Sequence, residues 1–86
     1  MKSPNSYDFQ EELSKLFRDA QIIGKNYVDV NSGELHRRIG GYPARDHRMP
    51  LCCEVMKKNM KKEDQILEQP PKGKGASLTI RYKLPR

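Results

Sequence analysis

Phe9, Leu13, Leu16, Phe17 and Ala20 fall on one face at 3.6 residues per turn, while Glu12, Lys15, Arg18 and Asp19 fall elsewhere. The spacing predicts a first helix, with Asp8 as its cap and Glu11 at the position that completes a capping box. The pattern fades after Ala20, and Gly24 stands where the chain should turn. Tyr27-Val28-Asp29-Val30 follows, a brief strand by residue type.

VNSGELHRRIGG carries the clearest local signal. Asn31 is a good N-cap, Glu34 sits at the capping-box position, and Val30 with Leu35 occupies the two positions of a hydrophobic staple. Leu35 and Ile39 share a face and Gly40 stands at the C-terminal glycine position, so this helix has barely two turns and must pack on something. Met49, Cys52, Cys53, Met56 and Met60 then recur at helical spacing, flanked by Val55. Pro50 is tolerated only in a first turn, which places the start of a third helix between Asp46 and Met49. Leu51, Glu54, Lys58 and Lys61 lie on its outer face.

The tail reads as a hairpin. DQILEQ is a short strand, PPKGKGA a loop of Pro, Gly and Lys, and SLTIRYKL alternates. Leu78, Ile80, Tyr82 and Leu84 face one way; Ser77, Thr79, Arg81 and Lys83 face the other. No repeat or low-complexity tract interrupts the chain.

Composition narrows the class. Eighty-six residues make a single domain, 1–86, with an ordered core over about 8–84. Apolar residues are 35% and charged residues 33%, polar for a globular domain, but the periodicity of the apolar ones argues for a folded core. Nothing approaches a membrane span or a secretory signal, and two adjacent cysteines make no disulfide framework, so a cytoplasmic protein with reduced thiols is expected. Net charge is +6 and unevenly spread. Residues 1–34 hold four Lys/Arg against six Asp/Glu, a net of −2; residues 35–86 hold thirteen against five, a net of +8. A basic C-terminal region is the footprint of a polyanion binder.

The order of elements resembles the winged helix-turn-helix domain, an α+β fold of three helices, a short strand after the first, and a C-terminal two-stranded β-hairpin wing. YVDVNSGELHRRIG is similar to that family's short strand leading into its second helix. The resemblance implies double-stranded DNA binding without catalysis, as a transcriptional regulator or a recognition module of a DNA-processing system. Residues 48–60 would form the recognition helix and residues 70–76 the tip of the wing. Gly40 to Arg48 makes a turn about twice the usual three or four residues, which changes how the third helix presents its N-terminus. On this resemblance the nucleic-acid-binding residues are Arg45, His47 and Arg48 at the start of the third helix, Leu51 and Lys58 along it, Lys72 and Lys74 on the wing, and Arg81 on the last strand with Lys83 extending the same surface.

Each candidate has a plainer reading beside it. Cys52 and Cys53 fall within the arc of Met49, Met56 and Met60, which makes them core thiols rather than zinc ligands or reactive groups. His36 and His47 show no pattern suited to catalysis, and no metal or cofactor is expected. Lys57, Lys58, Lys61 and Lys62 suit the helix dipole as a solvated end, and Arg37 or Arg38 is placed to pair with Glu34. Tyr42 and Pro43 either plug the junction between helices or stack on a partner. The alternative function is docking of an acidic protein partner. A monomer or weak homodimer is expected, with no membrane association.

Overall fold

The computed structural model describes residues 4–40 and 48–86; the candidates Arg45 and His47, with Tyr42 and Pro43, lie outside the described residues. Six elements follow one another: α1 (Ser6–Ile22), β1 (Tyr27–Asn31), α2 (Ser32–Ile39), α3 (Met49–Lys58), β2 (Gln65–Glu68) and β3 (Thr79–Lys83). Among the described residues, no helix is long and apolar enough to cross a membrane.

The apolar stripe of α1 is buried as its spacing predicts, through Phe9, Leu13, Phe17 and Ala20. Its start lies earlier than expected. Asn5, in extended conformation, accepts from the Asp8 N–H, and the Asp8 carboxylate accepts from the Asn5 N–H. Asp8 is therefore the third residue of the box rather than its cap, because an asparagine three positions upstream already supplies the capping oxygen. The expected cap of α2 is present: the Asn31 side chain accepts from the Glu34 N–H at 3.0 Å, and Val30 and Leu35 are both buried. Glu34 does not close the box but pairs with Arg37 at 3.3 Å.

The sheet corrects the expected strand layout. A lone short strand and a separate two-stranded hairpin were the expectation; instead all three strands form one antiparallel sheet in the order β1-β3-β2. Val28 lies opposite Tyr82 and Val30 opposite Ile80, so β1 matches the alternation of β3 residue for residue. The reason is hydrogen-bond demand: a five-residue strand set apart leaves its backbone unpaired, and a two-stranded hairpin is marginal by itself. β2 is the opposite edge, with all four residues exposed and an irregular register between Ile66 and Glu68.

Leu78, Ile80, Tyr82 and Leu84 are buried against the helices, as the alternation predicts. The Tyr82 hydroxyl donates to the Met56 carbonyl at 2.7 Å, tying β3 to α3, and burial raises its pKa. Beside this layer lies a largely buried ion pair. Asp64 and Arg86 side chains are only 1% and 7% exposed and meet at 2.9 Å. The Asp64 carboxylate also accepts from the Lys61 and Lys83 amides at 2.7 and 2.8 Å. The Arg86 guanidinium donates to the Asn59 and Lys83 carbonyls and lies over the Phe17 and Tyr82 rings.

Candidate functional site

α3 begins at Met49 with Pro50 in its first turn, as expected of a proline there. Arg48 is its N-cap residue; among the described residues no side chain caps this end, and no acid occupies its first turn. The Arg48 side chain is exposed, while its backbone N–H donates to Nε2 of His36 at 2.9 Å. An amide can only donate, so Nε2 accepts, and Nδ1 carries the proton given to the Gly40 carbonyl at 3.1 Å. The fully buried ring also meets Phe9 edge-on at 5.0 Å. One imidazole thus joins the C-cap of α2 to the N-cap of α3. This role was not read from the sequence, although Ser32, Leu35, His36 and Ile39 follow the i, i+3, i+4, i+7 spacing of a buried face.

Both thiols are in the core, as the periodicity predicts. Cys52 donates to the Ser32 carbonyl and Cys53 to the Gly75 carbonyl, and the Gly75 N–H points back at the Cys53 sulfur at 3.3 Å. Burial, with Cys53 beside it, pushes the Cys52 thiol up to about 12. The expected result is slow reaction of native protein with an aromatic disulfide reagent at pH 8, both thiols appearing only on unfolding in urea. Complete modification within seconds, with the fold intact by circular dichroism, would contradict the burial described here.

The Gly- and Lys-rich loop between β2 and β3 is fastened along α2 and α3. Lys57 donates to the Gly73 carbonyl at 2.8 Å, and Lys74 pairs with Glu54 at 3.0 Å. The Gly33 amide donates to the Ala76 carbonyl at 3.2 Å, and Ser32 gives its amide to Leu78 and its hydroxyl to Gly75. The approach is close enough that a Cβ on Gly33 would sit 3.1 Å from the Ala76 oxygen. The loop and the outward face of α3 are therefore one surface.

The sequence-derived candidates divide accordingly. Arg48, Lys58, Lys72 and Lys74 are exposed on or beside that surface. Leu51 is half-buried against the core and lines a shallow cleft with Tyr7, Gln10 and Lys58. Arg48, Lys58 and Lys72 make no ion pair among the described residues, whereas Lys74 is neutralised by Glu54. Arg81 and Lys83 belong elsewhere. They leave β3 on the face away from the helices, Arg81 forking onto Asp29 at 2.8 and 3.0 Å and Lys83 pairing with Glu63. The Arg81 hydrogen bonds hold the Asp29 carboxyl below its usual range. Glu54 and Lys57, which fix the loop to α3, were not among the sequence candidates. No protein-family model, no curated protein and no solved structure matches this chain.

Proposed function

We propose that the chain is a winged-helix domain that binds double-stranded DNA, without catalysis, through α3 and the β2–β3 loop. One observation carries the reading: the loop is bonded to α3 through Lys57 and Lys74, and the exposed cations Arg48 and Lys58, at the two ends of α3, and Lys72, in the loop, make no ion pair among the described residues. The element order and the sheet order β1-β3-β2, with two strands flanking a basic loop, fit the same reading. The major groove admits a helix, and residues at its N-terminus lie nearest the base edges. Arg48 would read guanine by forked donation there, Lys58 and Lys72 would meet phosphates, and Lys74 keeps Glu54, an acid on the same face of α3, neutral towards the duplex. Two buried thiols suit a reducing compartment, the cytoplasm.

Reversal of the loop charges tests this. Lys72→Glu/Lys74→Glu removes the Lys72 phosphate contact and also leaves Glu54 unneutralised, which lowers affinity by more than the factor of about eight that one lost contact gives at about 0.1 M salt. Lys72→Glu alone, at a residue whose side chain makes no ion pair here, lowers it about eightfold without touching the loop's attachment. Fluorescence anisotropy with a labelled duplex measures both. Unchanged affinity in both variants would remove the loop from the interface and return the basic face to an acidic protein partner.

A further inference from the structure

Further cations join Lys58 around the other side of the C-terminal end of α3. A cleft of about 380 Å³ opens there between α1 and the chain leaving α3, with Arg18, Lys58, Lys61 and Arg86 among its lining residues and no Asp or Glu. Arg86 is committed to Asp64, but Arg18, Lys58 and Lys61 are exposed and make no ion pair among the described residues. The neighbouring cleft shares Lys61 and adds Lys62, and its two acids are already paired, Glu63 with Lys83 and Asp64 with Arg86.

The polar groups of the first cleft are held in place. Gln10 and Asn59 exchange hydrogen bonds at 3.1 and 2.8 Å, and Asn59 donates a second time to the Val55 carbonyl. Ser14 accepts from Gln10 at 3.1 Å, which leaves its hydroxyl proton without an acceptor among the described residues. The helix dipole accounts for Lys58 in the last turn of α3. It does not account for Arg18, which stands on another helix, nor for Lys61 beyond the end of α3. Like charges brought to one cleft from two elements repel each other unless an anion lies between them.

We propose that this cleft holds a backbone phosphate of the bound duplex, carrying the footprint from α3 around its C-terminal end onto α1. Arg18 supplies a forked guanidinium, Lys58 and Lys61 supply point charges, and Ser14 supplies a hydroxyl donor. Lys58 lines both this cleft and the one beside Leu51, so it connects the two parts of the footprint. The inference rests on the DNA-binding reading above.

The test is the salt dependence of duplex affinity for the full chain and for Arg18→Gln/Lys61→Gln. Loss of two phosphate contacts makes the slope of log K against log salt shallower by about 1.8, with affinity about 60-fold weaker at about 0.1 M salt. Arg18→Lys keeps the charge and retains the wild-type slope, and thermal melts of all variants coincide. If the wild type binds and the double variant keeps its slope, the cleft assignment is overturned while the DNA reading stands. If the wild type does not bind duplex at low salt, the reading falls and the cleft assignment with it. Titration with inorganic phosphate separates the remaining source. Amide shifts at residues 14–18 and 58–61 that the double variant loses, beside an unchanged DNA slope, would assign the cleft to a free phosphate and overturn the backbone assignment.

Discussion

Asp64→Asn is expected to destabilise the fold by about 3–5 kcal/mol, the range for breaking a buried ion pair from one side. The substitution leaves the largely buried Arg86 guanidinium over the Phe17 and Tyr82 rings without its carboxylate. It also turns an amide nitrogen or a single carbonyl towards the Lys61 and Lys83 N–H groups, where two oxygens now accept. A chain of this length has a total stability of about 4–13 kcal/mol, so the loss is a large part of the whole. Urea unfolding followed by circular dichroism measures it. Adding Arg86→Met to Asp64→Asn recovers part of the loss, because no uncompensated charge remains. A double variant as unstable as Asp64→Asn would contradict the pairing.

The same carboxylate makes stability depend on pH. Burial alone would raise the Asp64 pKa, but the Lys83 and Lys61 amides and Arg86 outweigh it, and the net shift is downward. A carboxyl whose folded pKa lies below its unfolded value binds more protons when unfolded. Its contribution is fully present above the unfolded value of about 3.9 and is lost as pH falls from there through the folded value. The wild type therefore loses stability as pH falls below about 4, and Asp64→Asn loses less over the same window. Parallel pH profiles for the two would remove Asp64 as the source.

His36→Ala has the second large effect, about 3–5 kcal/mol. It removes a fully buried ring from the Phe9 edge and leaves the Gly40 carbonyl and the Arg48 N–H without their shared partner. His36→Phe restores the ring but neither hydrogen bond, and is expected to cost about 2 kcal/mol. The ordering Ala worse than Phe, and Phe worse than histidine, identifies the imidazole as a bridge as well as a filler. A His36→Phe variant as stable as the wild type would assign the residue to packing alone. The bridge matters to the proposed interface because Arg48, the residue nearest the base edges, is held by its own backbone to that ring.

What the sequence discloses follows distance along the chain. The α1 stripe, the Asn31 cap with its Val30–Leu35 staple, the α3 thiols and the β3 alternation are local patterns, and each is present. The pairing of β1 with β3 joins residues some fifty positions apart, Asp29 to Arg81 and Asn31 to Thr79, and no local pattern encodes it. The same separation hid the charge partners. Arg81 read correctly as outward, but its Asp29 counterion and the wrong side of the sheet for α3 emerge only from the register. Asp64 and Arg86 stand 22 positions apart with no local pattern to join them, and only the folded chain buries their side chains together. Of the candidate site, Arg48, Lys58 and the loop lysines were legible from charge and element order; Lys57 and Glu54, which set the loop against α3, were not.

The central claim is that α3 and the loop beside it form a DNA-binding surface. A backbone amide NMR titration with a short mixed-sequence duplex, run at two salt concentrations, tests it most directly. The account predicts shifts gathered at residues 48–58 and 72–76. If about six phosphates are neutralised, the slope is roughly −5 and affinity falls about 200-fold for a threefold rise in salt. An absence of shifts at low salt, or shifts confined to the Arg81 and Lys83 face of the sheet, would contradict it.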